Sequence, residues 1–131
     1  MTELTKILHV EDDLDILEIA EMSLSLVGGF DIVQADRGAK ALDVIEDFGP
    51  QMILIDYQMP GMTGPETLAA IRQLPGYETI PAIFMTAKLQ SNEHDSILTE
   101  HDLGVIPKPF DPTALPGQIL EMWSEGLANA A

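Results

Sequence analysis

The stretch MILIDYQMPG, residues 52–61, runs four apolar residues into a single carboxylate, Asp56, and then stops at Met59-Pro60-Gly61. A short apolar run closed by a turn signal reads as a buried strand, so this one delivers an acid to its carboxyl end. Four similar runs flank it: KILHV (6–10), FDIVQA (30–35), PAIFMT (81–86) and LGVIP (103–107). Between them lie stretches of helical period. Residues 13–27 place Leu14, Leu17, Ala20, Leu24 and Val27 on one face, and 38–48 does the same with Ala41, Leu42 and Ile45. A third helix fits 64–74, with Pro65 in its first turn and Leu68, Ile71 and Leu74 inward. A fourth, 89–101, is polar and anchored only by Leu89, Ile97 and Leu98. A fifth begins near Asp111-Pro112, with a kink or fresh start expected at Pro116, which has no N–H to donate.

Strand then helix, repeated five times, predicts a doubly wound α/β domain. It has a five-stranded parallel sheet with five helices on its two faces, because parallel strands need right-handed crossovers. At 131 residues the chain, 1–131, fits one domain; the core is expected over about 5–124, with 125–131 as a fraying tail of small residues.

The net charge of −16, from 22 acids against 6 bases, repels nucleic acid phosphates and anionic lipid, so neither direct nucleic acid binding nor membrane insertion is expected. The absence of cysteine excludes disulfides, a thiolate nucleophile and a cysteine zinc site. No apolar run approaches the length that spans a bilayer, and the amino terminus has no basic region leading into a long apolar one; a cytoplasmic protein is expected.

Ligands of open parallel sheets bind outside the carboxyl ends of the strands. There the first strand delivers Glu11-Asp12-Asp13, the third Asp56, the fourth Thr86-Ala87 and the fifth Lys108-Pro109. Carboxylates from adjacent strands, with a carbonyl of the following loop, suit a hard cation such as Mg²⁺ or Mn²⁺, with Asp12 and Asp56 as direct ligands. With that cation present Asp56 stays ionised and can attack a phosphoryl group, whose oxygens the Lys108 ammonium, the Thr86 hydroxyl and the Ala87 N–H would neutralise. Asp13 reads as a helix cap instead. His9 reads as a core or half-buried histidine, His94 and His101 as surface residues, and Trp123 as an anchor for the last helix.

The acid pair in VEDD, the acid in LIDYQMPGMTG, MTA after the fourth strand and KPF after the fifth together resemble the receiver domains of two-component response regulators, the CheY-like fold. The resemblance covers residues 5 to 124 and implies sheet order 2-1-3-4-5. It implies Asp56 as the phosphorylated aspartate, Asp12 as direct metal ligand, Glu11 as an acid acting through water and the Gln58 carbonyl as third protein ligand. Thr86 is similar to the switch hydroxyl and Lys108 to the lysine that pairs with the phosphoryl group, before a Pro109 peptide that the family usually holds cis. The implied donor is a sensor histidine kinase or histidine phosphotransfer protein, and the implied output is a downstream protein at the face of the fourth helix, fifth strand and fifth helix. Gln58 and Lys88 stand where the family tunes loss of the phosphoryl group. Where many members place Tyr or Phe, this chain has Val105, as in a subset of receivers found as stand-alone proteins.

Three other functions compete. A phosphatase with an aspartyl-phosphate intermediate needs a second Asp two residues after the nucleophile, where Gln58 stands. A flavodoxin needs a phosphate loop that EDDLD cannot form without a metal. A phosphorylation-independent pseudo-receiver, acting as a protein-binding module, has no need of the complete residue set.

Overall fold

The computed structural model describes residues 3–87, 98 and 101–130. Five parallel strands, β1 (Lys6–Val10), β2 (Asp31–Ala35), β3 (Met52–Asp56), β4 (Ala82–Thr86) and β5 (Asp102–Pro107), form one sheet in the order β2-β1-β3-β4-β5. Successive strand side chains point to opposite faces, so the core divides in two. Leu8, Val10, Ile53, Ile55 and Phe84 face Ala41 and Ile45 of α2 (Gly38–Phe48) and Leu68 and Ile71 of α3 (Gly64–Ile71). Ile7, Leu54, Ile83 and Met85 face Leu24 together with Leu115, Ile119 and Trp123 of α4 (Leu115–Ala130). β3 and β4 are buried along their whole length, as a central parallel pair covered on both sides must be.

Five helices were expected; among the described residues there are four, together with a π-helical segment. The fourth expected helix, 89–101, lies outside the described residues except for positions 98 and 101. The first differs from expectation in its register. α1 (Leu14–Glu21), capped by the Asp13 side chain, passes into a π-helix at Met22–Val27, where the Gly28 N–H donates to the Ser23 carbonyl five residues back. Ala20 and Leu24 are buried as expected, but Val27 is 60% exposed. A π turn holds more residues than an α turn, so the three-residue step from Leu24 stops short of the core. Leu14, at the helix start, is 70% exposed and also leaves the expected face.

α3 closes at Ile71 rather than 74, because the Gln73 and Leu74 N–H groups turn back to Ala70 and Ile71 in tighter three-residue bonds. The last helix makes the fresh start expected at Pro116. Asp111 gathers the N–H groups of Thr113, Ala114 and Leu115, and the helix begins at Leu115 with Pro116 in its first turn, where a missing N–H costs nothing. It then continues to Ala130, beyond the end expected near 124. Leu127 packs on the second core cluster, and Gly126 brings the helix so close to β5 that a Cβ there would stand 2.4 Å from Leu103 Cδ2.

Candidate functional site

Register brings the strand ends together: Val10 pairs with Ile55, Asp56 with Met85, and Thr86 with Pro107. Two backbone bonds hold the exits level, from the Tyr57 N–H to the Met85 carbonyl (2.8 Å) and from the Lys108 N–H to the Thr86 carbonyl (2.9 Å). The Lys108–Pro109 peptide is cis. After Asp56 the chain turns at Met59-Pro60-Gly61, with Met59 buried and Gly61 at φ 80°, a left-handed conformation that only glycine enters cheaply.

Carboxylate oxygens of Glu11, Asp12 and Asp56 lie within 4.8 Å of one another; Glu11 and Asp56 are buried and Asp12 is exposed. Lys108 Nζ sits between the buried two, 3.0 Å from Glu11 Oε1 and 3.3 Å from Asp56 Oδ1. The Asp13 N–H donates to Glu11 Oε2 at 3.2 Å, and the Gln58 N–H reaches Asp56 Oδ1 at 3.4 Å. Thr86 is buried at the end of β4, with Ala87 exposed beside it. Glu11, Asp12, Asp56, Thr86, Ala87 and Lys108 thus occupy one end of the sheet. Lys88 lies outside the described residues.

The electrostatics are those of a cluster short of positive charge. Burial raises the Glu11 carboxyl to about 7, with the nearby Asp56 charge adding to the rise and Lys108 opposing it. Burial likewise raises Asp56, against the pull of Lys108. Burial works against the Lys108 charge, but its bonds to Glu11 and Asp56 outweigh it and hold its pKa above the ordinary lysine value. One ammonium cannot neutralise three carboxylates, so the site takes up either a proton or a cation. The all-oxygen donor set suits Mg²⁺ or Mn²⁺, and the acidic cluster can hold such an ion.

His9 is fully buried in β1, held by Gln34 Nε2 at 3.1 Å from its Nδ1, and burial followed by the Lys108 charge lowers its pKa to about 3. It is a core histidine, as expected. His101 is half-buried, and His94 lies outside the described residues. The sequence reading missed the ion pair between Arg72 and Asp102, 2.9 Å apart. Its one sequence signal was Arg72 itself, four residues after Leu68 on the apolar side of the third helix.

A doubly wound α/β domain with an acid cluster, a hydroxyl and a lysine at its carboxyl edge defines the class. The family follows from comparison: the response regulator receiver domain model matches residues 7–120, and the chain belongs to that family. It is 32% identical over 109 residues to a 14.6 kDa protein of Leptolyngbya boryana, covering 83% of this chain and 82% of that one. It is 34% identical to the transcriptional regulatory protein CpxR of Escherichia coli, covering 96% of this chain but 54% of that protein. A probable cyclic di-GMP phosphodiesterase of Vibrio cholerae is 36% identical over 84% of this chain, which spans 24% of that protein. Among solved structures, the chemotaxis protein CheY4 of Vibrio cholerae superposes with a TM-score of 0.79 at 24% identity, over 92% of this chain and 99% of that one. A putative response regulator of Chloroflexus aurantiacus gives 0.78 at 25%, over 93% and 99%.

The chain is therefore a receiver domain of two-component signal transduction, a signalling module rather than an enzyme that turns over an external metabolite. Receiver domains take phosphoryl groups from histidine kinases and act on downstream partners. Among the described residues no helix is long and apolar enough to cross a membrane.

Proposed function

We propose that Asp56 is the phosphoacceptor and that the acid cluster binds the divalent cation the transfer requires. In the reaction an Asp56 carboxylate oxygen bonds to the phosphorus of a phosphohistidine, the N–P bond breaks, and the imidazole departs with the bonding electrons. The observation that carries this reading is the convergence of Glu11, Asp12 and Asp56 within 4.8 Å around a single ammonium.

Asp12 and Asp56 would hold Mg²⁺ or Mn²⁺ directly, with the Gln58 carbonyl as third protein ligand and Glu11 acting through water. The bound cation supplies positive charge to the oxygens of the transferring group. Lys108 exchanges its bond to the Asp56 carboxylate for one to the phosphoryl group, and the Thr86 hydroxyl and Ala87 N–H donate to the remaining oxygens. The partners are a sensor histidine kinase or histidine phosphotransfer protein upstream. Downstream a protein partner engages the face of the fourth expected helix, β5 and α4. Val105, paired with Phe84 in the sheet, stands where many members place Tyr or Phe, so this position offers no aromatic ring to rotate. A cytoplasmic setting fits this chemistry.

The test is intact mass after incubation with acetyl phosphate. Wild type gains one phosphoryl group only with Mg²⁺ present, and Asp56→Ala gains none. A Mg²⁺-independent gain, or a gain in Asp56→Ala, refutes the assignment. No gain from either acetyl phosphate or a phosphorylated histidine donor favours the phosphorylation-independent pseudo-receiver.

A further inference from the structure

Gly64, the first residue of α3, lies against the main chain of the phosphoacceptor. A Cβ built there would stand 2.3 Å from the Asp56 carbonyl oxygen and 3.0 Å from the Tyr57 Cα. These are backbone atoms, held from the other side by the β3–β4 pairing and the Tyr57 N–H bond to Met85, so they cannot swing away as a side chain would. Gly64 also donates its own N–H to the Tyr57 carbonyl at 3.0 Å. Its φ is not among the positive values of the described glycines, so what it supplies is space and not a left-handed turn.

The loop 57–63 therefore leaves Asp56 and returns to press on it. Its far end is fixed as well. Thr63 and Glu66 form a reciprocal cap at the start of α3, and Gly38 of α2 lets Met62 and Thr67 approach so closely that a Cβ there would stand 2.7 Å from Met62 Sδ. Gln58 rides on this loop.

We propose that Gly64 is a positioning residue for the cation site: its missing side chain sets how close the Gln58 segment lies to the Asp56 carboxylate. The inference rests on the cation reading above. An added methyl would meet the Asp56 carbonyl far inside van der Waals contact, so main chain beside the carboxylate must shift. Metal–ligand distances tolerate only about 0.2 Å. Mg²⁺ demands a near-ideal octahedron, whereas Ca²⁺ accepts longer and irregular coordination, so the displacement should penalise Mg²⁺ selectively.

Calorimetric titration of the full chain with Mg²⁺ and with Ca²⁺ tests this in wild type, Gly64→Ala, Gly38→Ala and Gly126→Ala. Gly64→Ala is expected to lose about tenfold in Mg²⁺ affinity and markedly less in Ca²⁺ affinity. Gly126→Ala, whose Cβ meets Leu103 as closely but away from the acid cluster, keeps wild-type affinity for both. Unchanged Mg²⁺ affinity in folded Gly64→Ala, or equal losses for the two ions, overturns the proposal. Gly38→Ala, whose colliding atoms belong to the Met62 and Thr67 side chains and can give, is expected to lose less; should Gly64→Ala not fold in buffer, its titration in a stabilising osmolyte decides, a Mg²⁺-selective loss supporting the proposal and none overturning it. Wild type that binds no Mg²⁺ refutes the cation site itself, a result distinct from unaffected variants.

Discussion

At the amino edge of the sheet Arg72 meets Asp102 at 2.9 Å and also donates to the Ile80 carbonyl at 2.8 Å. At the carboxyl edge Lys108 meets Glu11 and Asp56, with Asp12 alongside. Both clusters bury charge, but the first joins a guanidinium to a carboxylate and a carbonyl, whereas the second gathers three carboxylates, Asp12 exposed among them, around one ammonium. Burial penalises any uncompensated charge, and the Arg72–Asp102 pair ties the end of α3 to β5. The carboxyl-edge cluster has an all-oxygen donor set that can hold a cation as well.

The two clusters should respond to the same kind of substitution with opposite signs. Asp102→Ala removes the carboxylate facing a buried guanidinium and should cost about 3 kcal/mol in chemical denaturation. A change below about 1 kcal/mol would put Arg72–Asp102 among weak surface pairs. Asp56→Asn relieves the crowded cluster and should stabilise the metal-free protein by about 1 kcal/mol, with phosphoryl acceptance lost. Destabilisation by that variant would show that the cluster is already balanced without a cation.

The pH dependence sharpens the contrast further. The Glu11 carboxyl is raised in the folded chain from 4.5 to about 7, so the folded state holds a proton that the unfolded state has released between those values. The Glu11 contribution is therefore fully present below about pH 4.5 and is lost as pH rises through about 7. Metal-free wild type should lose stability over this window relative to Glu11→Gln, which cannot titrate; thermal melts of the two at pH 5 and pH 7.5 read the difference. Parallel pH profiles would contradict it. The smallest effect belongs to the exposed pair of Arg37 and Asp36, also at 2.9 Å. Asp36→Ala should change stability by less than about 0.5 kcal/mol.

How much of this was legible in the sequence follows from the range of the interactions. All five strands were readable, because central parallel strands are continuous apolar runs and their ends, bearing Asp12, Asp56, Thr86 and Lys108, follow directly. The Asp13 cap and the restart before Pro116 are local too. The π-helix was not legible, since nothing in MSLSLV distinguishes a five-residue hydrogen bond from a four-residue one, and the inward assignment of Val27 failed with it. Arg72 and Asp102 lie thirty residues apart and meet only when α3 and β5 are packed. The continuation of α4 brings Gly126 against Leu103 and Leu127 onto the second core cluster, contacts that likewise exist only in the packed fold. Gly64 read only as the first residue of the third helix, and its contact with the Asp56 carbonyl exists only in three dimensions.

On the proposed reading the carboxyl-edge cluster lacks one cation. Thermal melting of wild type against increasing Mg²⁺ at pH 7.5, with Asp12→Ala in parallel, tests it most directly. A saturable rise of the wild-type midpoint, following single-site binding and lost in Asp12→Ala, is expected. A wild-type midpoint that does not move with Mg²⁺, or one that rises equally in Asp12→Ala, would contradict it.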